Sequence, residues 1–73
     1  MQYMRVYVIE CENQKTGDKK VSQEGYYDLD DAQRYCESRP GVVRSNDPRF
    51  ADGFRFVSES GDYYYTINEV IIR

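Results

Sequence analysis

Asp28-Leu29-Asp30-Asp31-Ala32-Gln33-Arg34-Tyr35-Cys36-Glu37-Ser38-Arg39-Pro40-Gly41 is the stretch on which the fold turns. Asp28 can accept from free amides of a first helical turn, and Asp30 and Asp31 suit the positive end of the helix dipole. Leu29, Ala32, Tyr35 and Cys36 recur along one helical stripe, which leaves Gln33, Arg34, Glu37 and Arg39 mostly for water. Proline constrains its predecessor and glycine permits a reversal, so Pro40-Gly41 ends the element. The pattern predicts one helix over residues 29–38. Ten residues span only about 15 Å, too short to be stable alone. The stripe therefore needs a sheet beneath it, with Leu29 as the expected anchor.

Upstream, Tyr3 to Glu10 reads as a strand that is apolar on both parities, Met4, Val6 and Val8 on one and Tyr3, Tyr7 and Ile9 on the other. That suits a central strand. Asn13 to Asp18 is polar, and its Gly17 can supply the positive φ of a hairpin loop. A polar edge strand follows from about residue 20 to 27, weakened by Gly25. Downstream, Gly41 to Gly53 is irregular: Val42-Val43 can form a short strand, but Ser45-Asn46-Asp47-Pro48 is turn chemistry. Phe54 to Glu59 and Tyr63 to Ile72 then make a second hairpin around Ser60-Gly61. Its register sets Phe56 against Tyr65 and Phe54 against Ile67, with Arg55, Val57, Tyr64 and Thr66 on the other face. At the end of the last strand, Val70 and Ile72 share one parity and Ile71 the other, so that end is expected to be buried on both sides or broken by a bulge.

The fold class is therefore α+β: β-β-α-β-β, a four-stranded, mainly antiparallel sheet with one helix packed on one face. Composition agrees. In 73 residues, Val, Ile, Tyr, Phe and Thr number 24 against one Leu and two Ala, a balance that favours strands. A chain of this size forms a single domain, residues 1–73, with one small core. The formal net charge is −3. It is segregated: residues 34–55 carry five Arg against three acids, and the remainder carries five basic and ten acidic residues.

Composition and spacing narrow the chemistry. There is no stretch of about 18 apolar residues, so no spanning helix is expected, and the first residues lack the pattern of a secretory leader. A cytoplasmic location is the expectation. Cys11 and Cys36 lie 25 positions apart in a chain without histidine. Zinc spacings and a Cys–His nucleophile both fail, and free thiols are expected. Asp28, Asp30 and Asp31 form the densest carboxylate cluster, but helix capping accounts for them and the calcium-loop pattern is missing. No phosphate-cradling glycine loop or serine elbow occurs. No catalytic residue, metal ligand or cofactor is assigned, and an enzyme is not expected.

Two binding classes remain. Tyr3, Tyr7 and Tyr64, with Arg5 and Arg55 beside them, could stack the bases of a single strand. An isoelectric point near 4.8 opposes phosphate binding, which makes nucleic acid the second choice. For protein binding, Met4, Val6, Val8, Phe54, Phe56, Tyr65 and Ile67 would pack under the helix. The other face would then show Tyr3, Tyr7, Ile9, Val57 and Tyr64, an apolar patch of the kind that partners cover. Alternatively the sheet curls, or the 41–53 segment folds back and hides it. Arg44, Arg49 and Phe50 in that segment are further contact candidates, since arginine and aromatic residues dominate interface hot spots.

Asp28-Leu29-Asp30-Asp31-Ala32-Gln33-Arg34-Tyr35, between a polar hairpin and aromatic strands, resembles a pattern in small bacterial and prophage-encoded α+β accessory proteins. The resemblance covers about residues 20–39. It implies a non-enzymatic role in binding another protein and carries no catalytic residues. The functional expectation is a small cytoplasmic binding protein whose partner is another protein or a second copy of itself, without a membrane and without a cofactor.

Overall fold

The computed structural model describes residues 4–22 and 24–72. The chain is α+β, with β1 (Met4–Asn13), β2 (Lys19–Val21), α1 (Leu29–Glu37), β3 (Val43–Arg44), β4 (Arg55–Val57) and β5 (Tyr63–Ile72). The strands form one sheet in the order β2-β1-β5-β4-β3, with every neighbouring pair antiparallel. The sheet thus has five strands where four were expected. The fifth is the two-residue β3, whose Val43 and Arg44 pair with Val57 and Phe56.

α1 forms as its sequence dictates. Asp28 is extended (φ −119°, ψ 128°) and its carboxylate accepts from the Asp30 N–H at 3.2 Å. At the other end the Ser38 N–H donates to the Arg34 carbonyl at 2.8 Å, and Gly41 makes the reversal at φ +75°. The stripe lies on the sheet through Ala32 and Cys36, both fully buried. Leu29 is only half-buried, so it is a flank of the contact rather than its anchor. Ala32 and Cys36 meet Ile9, Phe56, Tyr65 and Ile67, which complete the core. Full burial of Phe56 stabilises the fold by about 1.5–3 kcal/mol relative to exposure.

The β4–β5 hairpin keeps the expected register: Phe56 opposes Tyr65, and the Ile67 N–H bonds the Phe54 carbonyl at 2.8 Å. β1 corrects the reading. Its register against β5 sets Ile9 against Ile67 and Cys11 against Tyr65, so Tyr7, Ile9 and Cys11 share the helix-covered face. Met4, Val6 and Val8 lie on the open face instead. β1 continues through Cys11 and Glu12 to Asn13, and that extension makes the parity plain, because Glu10 and Glu12 fall on the open side.

β1 and β5 pair without interruption over ten residues each, from Met4–Ile72 to Asn13–Tyr63. Neither of the two expectations for the end of β5 holds. There is no bulge in this ladder, and Val70, Ile71 and Ile72 are 42–51% exposed. Geometry explains why. A ten-residue ribbon is about 34 Å long, whereas the nine-residue helix covers about 14 Å of it. One end of the ribbon therefore extends past the core. β2 likewise stops at Val21. Beyond it Ser22 still bonds β1, its N–H donating to the Ile9 carbonyl at 2.8 Å and its hydroxyl accepting from the Ile9 N–H at 3.1 Å. A Tyr7–Tyr26 bridge follows, where Gly25 passes so close to Val6 that any Cβ would collide with it.

Candidate functional site

Two surfaces carry functional potential, and the sheet positions both. The first is the open face and its uncovered ribbon end. Here Met4, Val6 and Val8 of β1 stand opposite Ile72, Val70 and Asn68 of β5. Toward the middle the face turns polar: Lys19 reaches Glu10 and Glu12, each at 3.7 Å, and the Asn68 amide lies 3.4 Å from Glu10. At the far end, Arg55 lies between two rings, 4.4 Å from the Phe50 centroid and 4.3 Å from that of Tyr64. The 41–53 segment thus folds back over part of this face through Phe50.

The ribbon end has a second property, an unpaired edge. Among the described residues β4 pairs with β5 at Tyr64–Thr66, and the last contact is the Ile67 N–H on Phe54. Tyr63 and Ile67 both direct main-chain groups toward β4. The alternation of two then aims the N–H and C=O of Glu69 and Ile71 outward on the same side. On the side away from β1, Asn68 to Ile72 has no neighbouring strand among the described residues, and this edge is apolar on both faces at its end.

The second surface is a groove of about 440 Å³ on the helix side, between β2 and the C-terminal half of α1. Buried Ile9 and Tyr65 and half-buried Cys11 line it, together with Val21, Ser22, Tyr35 and Tyr63. Its charged members are Lys20 and Arg39. Arg39 is held in place: Nη2 donates to the Tyr35 hydroxyl at 2.8 Å, and its guanidinium carbon lies 5.3 Å and 5.5 Å from the Tyr35 and Tyr65 centroids. Burial, with Cys11 alongside, pushes the Tyr65 phenol up, and burial pushes the adjoining Cys36 thiol up to about 11. Both stay protonated at neutral pH. Neither cysteine is bridged, and Cys36 is not a nucleophile in this state.

No family model, curated protein or solved structure matches this chain. The geometry alone carries the functional argument.

The residues singled out in the sequence fall into three groups. Tyr3 lies outside the described residues. Tyr7 and Ile9 do not belong to the open face: Tyr7 packs against the core and Ile9 is 3% exposed, so Ile9 offers no surface to a partner. Val57 and Tyr64 are on the open face, with Val57 paired to Val43 and Tyr64 under Arg55. Arg44 is bound by Glu37 at 3.1 Å and Asp52 at 3.5 Å. Arg49 is bound by Asp47 at 2.6 Å. Phe50 has Arg55 and Arg49 against its ring. Missed altogether were Lys20 and Arg39, whose convergence no local pattern announces, and the Val70-Ile71-Ile72 edge, whose two-sided apolarity was visible. Among the described residues no three His, Cys, Asp or Glu cluster as metal ligands, and no helix is long and apolar enough to cross a membrane.

Proposed function

We propose that this chain is a non-enzymatic binding module that works by strand pairing at the Asn68–Ile72 edge, with a second copy of itself as the partner. The carrying observation is that edge: outward main-chain groups at Glu69 and Ile71, flanked by exposed Val70, Ile71 and Ile72. Unpaired apolar edges are ready templates for another strand. The segment is complementary to itself. In an antiparallel pairing centred on Val70, Glu69 faces the partner's Ile71, and the two valines meet across a twofold axis. No like charges come opposite, and Glu69 keeps its 3.4 Å ion pair with Arg5 of its own chain. On the open face the pairing joins Val6 and Val70 of both copies into one apolar strip. Both edges are consumed, so the assembly closes as a dimer. The accessory role implied by the prophage-protein resemblance is compatible with this reading.

The nucleic-acid alternative has less support. Tyr7 faces the core, and the Tyr64 ring is already occupied by Arg55. Of the tyrosines named for it, the two that are described thus leave no free stacking platform on that face.

Sedimentation across protein concentration tests the proposal. The expected outcome is a monomer–dimer equilibrium that Val70→Lys abolishes, because the substitution sets two ammonium groups against each other at the axis. Val70 is 42% exposed in the monomer, so the variant should unfold within about 0.5 kcal/mol of the wild type at dilution. Dimer formation should also slow hydrogen exchange at the Glu69 and Ile71 amides. A wild-type chain that stays monomeric to about 1 mM, a concentration at which even weak specific pairs form, would overturn self-pairing.

A further inference from the structure

We infer that the groove between β2 and α1 is a binding site for a small organic anion, an aromatic body bearing one carboxylate. The inference does not depend on strand pairing, since the groove meets β5 at Tyr63 and Tyr65, at the other end of the strand from Val70. Its basis is charge left unmatched. Arg5, Lys15, Lys19, Arg34, Arg44 and Arg49 each lie within 4.0 Å of a carboxylate. Lys20, Arg39 and Arg55 have no such partner among the described residues; Arg55 lies between the Phe50 and Tyr64 rings on the open face, and the other two line this one groove. No carboxylate lines it with them. Asp18 lies in an adjoining hollow of about 250 Å³ shared with Lys20, and the two form no ion pair. In a chain of net charge −3, two uncompensated cations on one concave surface mark a place where an anion is favoured.

The remaining lining states what the anion carries. Tyr35, Tyr63 and Tyr65 with Ile9 and Val21 give ring faces and aliphatic surface, and about 440 Å³ is in the range of small-molecule sites. Arg39 is fixed by the Tyr35 hydroxyl and two rings while most of its N–H donors stay unused, so its fork is preorganised for a carboxylate. Lys20 adds a point charge. One fork and one ammonium, without a nest of main-chain amides, suit a single carboxylate better than a phosphate dianion.

Nitrogen–proton correlation spectra of the full chain titrated with phenylacetate test this, with phenylacetamide and acetate as the comparison probes. Phenylacetate should shift the amides of Cys11, Lys20 to Ser22, Tyr35 to Arg39 and Tyr63 to Tyr65 saturably. Both comparison probes should bind at least about fivefold more weakly, since each lacks one half of the recognition. Lys20→Gln and Arg39→Gln should each weaken phenylacetate by at least about fivefold. Arg34→Gln, a cation outside the groove lining whose charge is met by Asp31, should leave it unchanged. Lys20 is an exposed strand residue, so its variant keeps the test valid if Arg39→Gln disturbs the helix end. Absence of saturable shifts up to about 20 mM, well above the weakest dissociation constant useful to a cell, would overturn the site. Equal binding of phenylacetamide would remove the role of charge, and equal binding of acetate the role of the rings; either result overturns the inference.

Discussion

Asp47 and Arg49 show how far two neighbouring side chains can set a property that neither has alone. Arg49 donates through Nε and Nη2 and through its own main-chain N–H to the Asp47 carboxylate, at 2.6–3.1 Å. Those bonds, side chain first, hold the carboxyl down at about 2. A depressed folded value means the carboxylate form is favoured on folding. The stabilisation is therefore present above the ordinary aspartate value near 3.9 and is lost as pH falls from there toward about 2. Arg49→Ala removes the side-chain bonds and keeps the main-chain one, so it should raise the Asp47 carboxyl part of the way toward the ordinary aspartate value near 3.9, measured by carbon-detected titration of its carboxyl resonance. A carboxyl that still titrates near 2 in the variant would mean that the loop's main chain holds it.

The elements were unequally legible, and the reason lies in where the information resides. α1 is specified locally by Asp28, the Leu29–Cys36 stripe and Pro40-Gly41, and its cap and stop appear where the residues place them. Asp28→Ala should cost about 1 kcal/mol in thermal or denaturant unfolding, the usual worth of an N-cap. A loss below about 0.3 kcal/mol, less than helix-capping substitutions cost, would show that Asp30 and Asp31 suffice. β4 and β5 were legible too, because alternate aromatic residues leave one register for a hairpin. β1 was not. Between Met4 and Ile9 both parities are apolar, so its orientation is decided by pairing with residues about sixty positions away, Ile9 with Ile67 and Cys11 with Tyr65. β3 is two residues long and is defined by β4 beside it. The groove is harder still, since Lys20 comes from β2 and Arg39 from the turn after α1. Only the assembled sheet brings those two cations together.

At the scale of the whole molecule the ribbon dominates. The radius of gyration is 12.6 Å, against about 11 Å for a compact chain of this length. The long axis is 44 Å and the two short ones 23 and 22 Å. Core residues cluster around Ile9, Phe56, Tyr65 and Ile67, and contacts thin out toward Met4 and Ile72. Hydrogen exchange at concentrations that keep the chain monomeric should follow that gradient. Tyr64 and Thr66 amides, beside the core, should be protected at least about tenfold more than those of Val70 and Ile72. Uniform protection along β5 would mean that the ribbon opens only with the whole fold.

The antiparallel register places Met4 opposite Ile72, so both strands of the ribbon can be gripped at the same end. Tension applied between those two residues acts along the cross-strand hydrogen bonds and loads one pair at a time. The ladder then parts like a zip, from Met4–Ile72 toward Asn13–Tyr63, instead of resisting as a block. Pulling Asn13 against Ile72 would load the same bonds in shear and share the force among all of them. The molecule is therefore mechanically anisotropic: soft where the two strands are drawn apart sideways, stiff where they are drawn past one another. A tether at the uncovered end would peel β1 from β5 at low force until it reached the rows beneath α1, where the core takes the load.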